Sequence, residues 1–444
     1  MIPARTSPDE GLRQEMLERL ERRGVCDASG RRLSVSSQPG VVVIGKVCDA
    51  EPLLQTEGAL ARAASHHVLR GLGALALLQG AERVILAVDR AVDLSWPLEG
   101  TRLEVVEIAA AAPMDPISLV CDLAQAAGRS VPGAGLSSHS VHDAVVLRDV
   151  ALALEGRWPS SRRFVTVAGA VARPAVVEAP LGTPLAELVE LCGGATDPGW
   201  VPWLNGALGG RRSGWGDAVD LDTRGLVVLP HDHPIVVRST TPLSDVVGRI
   251  VAACEGCRTC TDLCPVHLAG AHLEPHRVMQ VLAASWTGAA LPLDGPVLGA
   301  LECTGCGLCS AACPSMLEPA MGLRALREQL GAQGVTLAAA AAPRPHPDRR
   351  GRRVSLARLV DMLGLAPYDA ARLPSLHLVP ERLLFPPRGP TGAARVPVVQ
   401  PGGRVEVGDL LALSEGAAEV DLRAPLPARV LEVDPDDGLV LAVR

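Results

Sequence analysis

The first part of the chain alternates apolar, β-branched runs with helical patterns. Three β-branched apolar runs are typical of strands: VVVIG (41–45), RVILAV (83–88) and LEVVEIA (103–109). Helical stretches lie between and after them, near 57–79 and 116–127. Strands that alternate with helices predict a parallel layer, so we expect a Rossmann-like α/β domain over residues 1–155.

A helix is predicted at the start of the chain. The segment SPDE (7–10) combines a capping serine, a proline suited to the first helical position and the glutamate of a capping box. Leu12, Met16 and Leu20 then fall on one helix face. An amphipathic docking helix is the favoured interpretation, and a targeting or encapsulation helix is the alternative.

The pattern changes at Phe164. FVTVAGAVARPAVVEAP (164–180) alternates like two strands around a turn, and TPLAELVELCGG (183–194) predicts a short helix that ends at glycine. GLVVLPHDHPIVV (225–237) predicts further strands as far as Val237. We expect a small mixed α+β unit over residues 160–240.

Two patterns end the chain. An Ala/Pro-rich connector (333–353) closes on four arginines, which predicts a solvated linker, with an acidic docking partner as the alternative: Arg349, Arg350, Arg352 and Arg353. The segment 354–444 then carries short strands at regular spacing, with turn signals at PGG, VGD and DDG. A small all-β barrel or sandwich is expected over about 393–444.

Charge and hydropathy exclude two classes of partner. The 42 basic and 49 acidic residues leave a net charge of −7, and aromatic residues make up only 2% of the chain, so no nucleic-acid partner is expected. No apolar run reaches the ~18 residues of a membrane span. The charged start SPDEGLRQEMLERLERRG is unlike a secretory signal, so we expect a cytoplasmic location.

The cysteines carry the chemistry. Eight of the twelve form two C-x2-C-x2-C-x3-C-P runs: Cys254, Cys257, Cys260 and Cys264, then Cys303, Cys306, Cys309 and Cys313. This spacing is typical of bacterial two-cluster ferredoxins, in which the fourth cysteine of each run binds the other cluster. The predicted ligands of the first [4Fe–4S] cluster are Cys254, Cys257, Cys260 and Cys313. Those of the second are Cys303, Cys306, Cys309 and Cys264.

Zinc is the alternative metal for such a module, which spans about 244–332. Structural zinc usually takes two C-x-x-C pairs with a longer spacer, so two runs of three closely spaced cysteines fit it poorly. The four remaining cysteines are scattered and are expected to be buried structural thiols: Cys26, Cys48, Cys121 and Cys192.

Several stretches resemble a known family. They are CPVHLAGAHLEPHRVMQ (264–280), LECTGCGLCSAACP (301–314), RRVSLARLVDMLGL (352–365), CDAEPLL (48–54), the run 165–194 and the run 225–237. With them the chain resembles the cobalamin reductases of propanediol-utilisation microcompartments, which are relatives of the RnfC-like component of Rnf electron-transport complexes. The loop WLNGALGG (203–210) also looks like a family loop. The resemblance covers most of the chain.

This resemblance implies a fold and an activity. The fold would be a flavin-binding α/β domain, a β-grasp ligand-binding unit, a two-cluster ferredoxin-like helical module and a barrel-sandwich hybrid domain. Electrons would pass from NADH through FMN and two [4Fe–4S] clusters to a corrinoid or a redox partner protein. Microcompartment enzymes would be further partners, and the cytoplasmic location would include the interior of a microcompartment.

The chain departs from the family where flavin would bind. The family's glycine-rich phosphate loop corresponds to RRGVCDASGRRLSVSSQ (22–38), which has only two glycines. Lys46 stands where the family has asparagine, while Asp49 and Glu51 keep acids and remain the candidate contacts to a flavin or nucleotide. A flavin-free two-cluster relay and an Rnf-type component are therefore alternative functions. A non-enzymatic scaffold is a weaker alternative, because all eight cluster cysteines are present.

The β-rich tail also resembles domains that carry biotin or lipoate on a lysine. Lys46 is the chain's only lysine, and it lies far upstream of the tail. The tail is therefore expected to be structural rather than a swinging carrier.

Overall fold

The computed structural model describes twelve stretches of the chain: 10–37, 40–90, 92, 103–109, 111–112, 116–126, 139–196, 198–214, 216–286, 295–336, 345–416 and 418–443. The predicted helix cap at 7–9 and the connector residues 337–344 lie outside them.

The N-terminal unit is a parallel α/β layer, as predicted. Its elements are α1 (Glu10–Arg22), β1 (Val42–Val47), α2 (Thr56–Ala63), α3 (Ser65–Gln79), β2 (Arg83–Asp89), β3 (Glu104–Ile108), β4 (Ala111–Ala112), α4 (Pro116–Ala126), β5 (His139–Asp143) and α5 (Ala144–Leu154). The sheet order is β3-β2-β1-β5, and every neighbouring pair is parallel. Strands β2 and β3 lie on one side of β1 and β5 lies on the other, so the strand order reverses beside β1.

Both faces of this sheet are covered by helices. Val43 and Leu72 belong to the core between the sheet and helices α3 and α5, whereas Ile44 and Leu119 belong to the core beneath α4. Neighbouring residues of a strand point to opposite faces, which is why β1 is apolar at nearly every position. Gly71 permits the close crossing of α3 and α5, because a Cβ there would overlap the backbone of α5 at Leu147.

A mixed α+β unit follows. Its elements are β6 (Arg162–Gly169), β7 (Ala175–Pro180), α6 (Leu185–Leu191), β8 (Trp200–Leu204), β9 (Arg211–Arg212), β10 (Gly225–Pro230) and α7 (Pro234–Ser239). The prediction of a strand up to Val237 is wrong, since residues 234–239 form α7. His233 caps this helix through Nδ1, which accepts a hydrogen bond from the Ile235 N–H at 3.3 Å, and Pro234 occupies the first helical position.

The cysteine module is built from short helices. They are α8 (Leu243–Ala253), α9 (Thr259–Asp262), α10 (Pro265–Leu268), α11 (Pro275–Trp286), α12 (Gly295–Leu298), α13 (Leu308–Ala311) and α14 (Pro319–Ala332). Their core mixes aliphatic side chains such as Val278 and Leu326 with the buried thiols of Cys260, Cys264 and Cys309. These three cysteines therefore lie inside the module's own core.

The arginine run is not a solvated linker. The segment forms α15 (Arg349–Arg352), β11 (Val354–Ser355) and α16 (Leu356–Met362), and β11 pairs with β4 of the N-terminal unit. Arg349 is buried and forms an ion pair with Asp122, while Arg352 reaches Asp262 of the cysteine module at 3.1 Å. Pairing with Asp122 lowers the free-energy cost of burying the Arg349 charge. Together the two ion pairs connect α4 to the cysteine module through α15.

The tail consists of β-strands, and the first of them belongs to the sheet of the preceding unit. It contains β12 (Ser375–His377), β13 (Arg382–Phe385), β14 (Arg395–Pro397), β15 (Arg404–Val405), β16 (Leu410–Ser414), β17 (Leu422–Arg423), β18 (Ala428–Asp434) and β19 (Gly438–Val443). Strand β12 completes the sheet of the preceding unit, in the order β12-β7-β6-β10-β8-β9. The tail itself has two sheets, β13-β19-β18-β15 and β14-β16-β17, so it begins at Arg382 rather than near 393.

The helices of the described residues are short, and α3 is the longest at 15 residues. None of the described helices has both the length and the apolar character that crossing a membrane requires.

Candidate metal centre

The eight cysteines of the two runs fall into two groups of four in space. Burial, together with the neighbouring thiols of Cys313, Cys257 and Cys254, raises the pKa of the Cys260 thiol to about 12. The first three cysteines of the first run therefore lie beside the last cysteine of the second run.

The second group mirrors the first. Burial raises the pKa of the Cys264 thiol, and Cys306 and Cys303 add to the effect. Burial likewise raises the pKa of Cys309 far above its usual value, with contributions from Cys306, Cys264 and Cys303 and a smaller one from Cys260 of the first group. The last cysteine of the first run thus lies among the first three of the second run.

Both loops bend at equivalent positions. The residue before the second cysteine is a glycine with positive φ in each: Gly256 at +65° and Gly305 at +73°. The residue after the second cysteine is also left-handed, as Arg258 at +67° and Gly307 at +78°. Left-handed positions curl a short segment tightly, which allows three thiols spaced by two residues to point towards one centre.

Backbone N–H groups point at the cysteine sulfurs. The Gly305 N–H donates to Cys303 Sγ at 3.4 Å, and the Leu317 N–H donates to Cys313 Sγ at 3.5 Å. Such donors stabilise a thiolate rather than a thiol. Buried thiols with raised pKa values become thiolates when a metal supplies the compensating positive charge, so these residues fit iron–sulfur clusters.

The geometry differs from that of a site for one ion. Within the described ranges, no three or more His, Cys, Asp or Glu side chains meet closely enough to hold a single metal ion. Each thiolate of a cubane binds a different iron atom, so the sulfurs surround the cluster and need not meet at one point.

The two loops differ in what covers them. Each group contains buried thiols, Cys260 in the first and Cys264 and Cys309 in the second, but only the first group has an exposed thiol, Cys257. The cover over the second loop is the segment 206–210 of the α+β unit. Gly307 lies against it so closely that a Cβ would overlap the carbonyl oxygen of Leu208.

Glu51 holds that covering segment in place. Its Oε2 accepts a hydrogen bond from the Leu208 N–H and its Oε1 accepts one from the Gly209 N–H, both at 3.0 Å. Burial raises the Glu51 pKa to about 7, although the two N–H donors favour the charged form. Glu51 is a predicted flavin contact, and in the structure it joins the N-terminal unit to the segment 206–210 that covers the second cysteine loop. The glycines of WLNGALGG indicate a close backbone contact in this loop. The sequence does not identify Glu51 as the partner, because it lies more than 150 residues away.

Asp49, the other predicted flavin contact, caps a helix. Its Oδ1 accepts a hydrogen bond from the Glu57 N–H at 2.9 Å and its Oδ2 accepts one from the Gly58 N–H at 3.0 Å. These donors belong to the first turn of α2. A carboxylate at this position compensates the partial positive charge of the helix start.

A buried ion network fills the carboxyl ends of β1 and β5. Lys46 Nζ lies 2.7 Å from Asp143 Oδ1, and Arg224 donates to Asp143 Oδ2 at 2.8 Å. The two cations hold the pKa of Asp143 well below its usual range, against the opposing effect of burial. Glu57 completes the network, because its Oε2 accepts a hydrogen bond from the Ala144 N–H at the start of α5 at 2.8 Å.

This edge is where an open α/β sheet usually binds a nucleotide, with the phosphate at a helix N-terminus. Here the starts of α2 and α5 each face a carboxylate, from Asp49 and Glu57 respectively. The N–H groups of Glu57, Gly58 and Ala144 already donate to these side chains, so they are not available to donate to a phosphate. The described residues of this edge therefore do not fit the phosphate of FMN.

The four scattered cysteines are buried, as predicted: Cys26, Cys48, Cys121 and Cys192. Burial raises the pKa of Cys26 and Cys192 to about 11 and that of Cys48 to about 12. Thiols of this kind are unreactive packing groups.

Comparison with known families supports both middle units. The SLBB domain family matches residues 164–211, and the 4Fe-4S dicluster domain family matches residues 253–318. The second match contains all eight cysteines of the two runs, so this module is a 4Fe-4S dicluster domain.

Two further matches are weak or partial. A structure of an NAD+-reducing [NiFe]-hydrogenase in the H2-reduced state shares 18% identity at a TM-score of 0.43, covering 74% of this chain and 64% of that one, which is too weak a likeness to carry an argument. A component of the ion-translocating oxidoreductase complex of Methanosarcina acetivorans is 32% identical over 30% of this chain and 25% of that protein.

Two relatives match over nearly their whole length. Cobalamin reductase PduS of Citrobacter freundii is 30% identical over 95% of both chains. Cobalamin reductase PduS of Salmonella typhimurium is 33% identical over 97% of this chain and 94% of that protein. The chain belongs to the PduS cobalamin reductase family.

Proposed function

We propose that this protein passes electrons through two [4Fe–4S] clusters to a corrinoid or to a redox partner protein. Cys254, Cys257, Cys260 and Cys313 hold the first cluster. Cys303, Cys306, Cys309 and Cys264 hold the second. When bound, the clusters supply one-electron storage and transfer.

One observation carries this proposal. Each group of four thiols combines three cysteines of one run with the last cysteine of the other. This exchange joins the two halves of the module and places the two groups side by side, as electron passage from one to the other requires. The corrinoid acceptor is taken from the names of the two PduS relatives.

Within this proposal the protein's residues keep the two groups in different surroundings. Cys257 leaves the first group open to solvent, where a protein donor can approach. The segment 206–210 and Glu51 shield the second group. Exposure and hydrogen bonds to sulfur set cluster potentials, so the two clusters are expected to differ in potential.

The carboxyl edge of the N-terminal sheet bears on how electrons enter the protein. Because carboxylates occupy the starts of α2 and α5, we propose a flavin-free entry, in which a separate redox protein reduces the first cluster. The competing function is an NADH-dependent reductase that binds FMN, as the family resemblance implies. A cytoplasmic location, inside a microcompartment with its enzymes, is proposed on family membership.

One measurement separates these functions. Anaerobically purified, iron-replete protein is assayed for iron, sulfide and acid-released flavin per chain. We expect about eight iron and eight sulfide, with no flavin. About one FMN per chain would show that the phosphate binds by another route, and the NADH-driven reductase would replace the relay. Absence of iron and sulfide would refute the electron-transfer function and leave the scaffold.

A further inference from the structure

A cleft separates the α+β unit from the cysteine module. It has a volume of about 260 Å³ and is open to solvent on one side. Arginines line its rim, and we call it the arginine cleft: Arg211, Arg212, Arg238 and Arg324. Its position matters because Gly307 and Ser310, which flank Cys309, form part of its wall.

The cleft carries an excess of positive charge. Arg211 pairs with Asp222 at 3.0 Å, and Arg238 pairs with Glu318 at 3.2 Å. Arg212 and Arg324 are exposed, and neither guanidinium has an acidic partner among the residues that the structure describes. Two guanidinium groups on opposite walls therefore face the cleft without a counter-ion from the described chain.

The inner part of the cleft is apolar. Trp203 and Ile235 of the α+β unit and Leu363 after α16 line it, and all three are buried in one hydrophobic core. A few charged groups at the rim of an apolar cleft are typical of small-molecule sites. Guanidinium groups in particular favour phosphate, which they bind through paired N–H donors.

The wall contributed by the cysteine module is strained. Glu318, which lines this wall, has a positive φ of +55° although it is not a glycine, and Met316, which lies outside the lining, has one of +49°. They lie just after Cys313, and Glu318 uses this conformation to reach Arg238 across the cleft. Non-glycine residues in this region of backbone space persist where the surrounding structure imposes them, which is frequent at binding sites.

We propose that the arginine cleft binds the phosphate-bearing side of a redox molecule with a broad ring system, beside the second cluster. This inference rests on the proposed electron-transfer function and assigns its small-molecule site. A cleft of about 260 Å³ encloses part of such a molecule, since full enclosure of a drug-sized ligand takes about 300–1,000 Å³.

The ligand must accept electrons one at a time, because an iron–sulfur cluster transfers single electrons. The bound molecule gains one electron from the reduced second cluster, and no bond to the protein forms or breaks. A corrinoid and a flavin nucleotide both accept single electrons and both carry a phosphate group. A nicotinamide exchanges a hydride, which is an electron pair with a proton, so it does not fit direct exchange with one cluster.

The test measures binding without turnover. Anaerobic holoprotein with oxidised clusters is titrated by calorimetry with hydroxocobalamin and, separately, with FMN. The double variant Arg212→Ala/Arg324→Ala is expected to bind the true ligand class at least about tenfold more weakly, because two charge-assisted contacts are lost. The affinity of the wild type should also fall with added salt, and that of the double variant should fall less.

The control variant is Arg249→Ala. Arg249 is an exposed arginine of α8 in the same module and does not line the cleft, so its removal takes one positive charge from the module without changing the cleft. Its affinities should stay within about twofold of the wild type. Iron and sulfide content should be equal in all three proteins.

The arms of the test separate the ligands. A loss confined to hydroxocobalamin assigns a corrinoid site, a loss confined to FMN assigns a flavin site, and a loss of both supports the shared phosphate chemistry. If the wild type binds neither probe, or the double variant binds both as tightly as Arg249→Ala, the proposal is wrong. Protein that lacks clusters contradicts the proposed function instead, and its probe binding remains measurable.

Discussion

The two cysteine loops have the same spacing but different surroundings. In the first, the position after the second cysteine is Arg258, which adopts a left-handed conformation and lies near Glu274, 3.7 Å away. In the second, the equivalent residue is Gly307, and the segment 206–210 packs directly on it. The first loop tolerates a side chain at this position because Arg258 is half exposed to solvent.

The difference shows how one motif can serve two purposes. The spacing of the cysteines decides what each loop binds. The residues that pack over each loop decide which kind of partner can approach it. The open first loop suits exchange with a protein, and the covered second loop suits exchange with a molecule held in a defined cleft. Duplicated ligand sets can therefore acquire different roles without any change in the ligands.

The largest expected effect follows removal of the exchanged cysteines. Cys313→Ala should abolish the first cluster and keep the second, while Cys264→Ala should do the reverse, because each cysteine is grouped with the other run's triad. Iron content should fall by about half in each variant. Electron paramagnetic resonance of the reduced proteins identifies the surviving cluster.

Cys192→Ala is the control for this pair. Cys192 is a buried thiol in the core of the α+β unit, remote from both runs, and its variant should retain both clusters. Loss of the second cluster in Cys313→Ala, with the first intact, would show that each run binds its own fourth cysteine.

A smaller effect is expected at the position that distinguishes the loops. Gly307→Ala should destabilise the protein by about 2–4 kcal/mol, because it places a side chain at positive φ and against the Leu208 carbonyl. The second cluster should become labile. Thermal unfolding and iron release measure both effects.

Arg258→Ala is the matched change in the first loop. It keeps a Cβ at the same backbone conformation and loses only an exposed ion pair with Glu274, worth less than about 1 kcal/mol. Both clusters should persist. Equal losses in the two variants would mean that the cover over Gly307 contributes nothing.

The smallest effect concerns the residue that holds the cover. Burial raises the pKa of Glu51 from 4.5 to about 7, so the folded protein binds this proton more tightly than the unfolded chain does. The resulting stabilisation is complete below pH 4.5 and is lost as the pH rises through about 7. Across that window the unfolding temperature of the wild type should fall relative to that of Glu51→Gln, which cannot titrate.

The measurement is thermal unfolding of both proteins at a series of pH values in one ionic strength. The expected change in the difference between them is on the order of 1–3 kcal/mol across the window. A constant difference would show that Glu51 keeps an ordinary pKa. The unfolding profile of Gly307→Ala should retain the pH dependence of the wild type, since Glu51 is unchanged there.

Sequence periodicity predicted the regular elements well where they were long and apolar. The parallel layer, the hairpin around Arg173 and the short helix at 185–191 all appear. The strand expected at 235–237 is instead α7, because the capping geometry of His233 and Pro234 outweighs a short β-branched run. The arginines after 348 were expected in solvent, yet Arg349 is buried in an ion pair with Asp122. Local pattern could not predict this pair, because Asp122 is more than 200 residues away in the chain.

The sequence by itself determined the metal chemistry of this protein. Eight cysteines at fixed local spacing predict cluster ligands, because a cluster loop is a short-range structure. Only the tertiary structure decided what surrounds those ligands. Glu51, Leu208 and Gly307 come from three distant segments, and their contact depends on how the units pack against one another. The hydrogen bonds from the starts of α2 and α5 to Asp49 and Glu57 likewise form between segments that only the folded chain brings together. Local sequence pattern does not encode them.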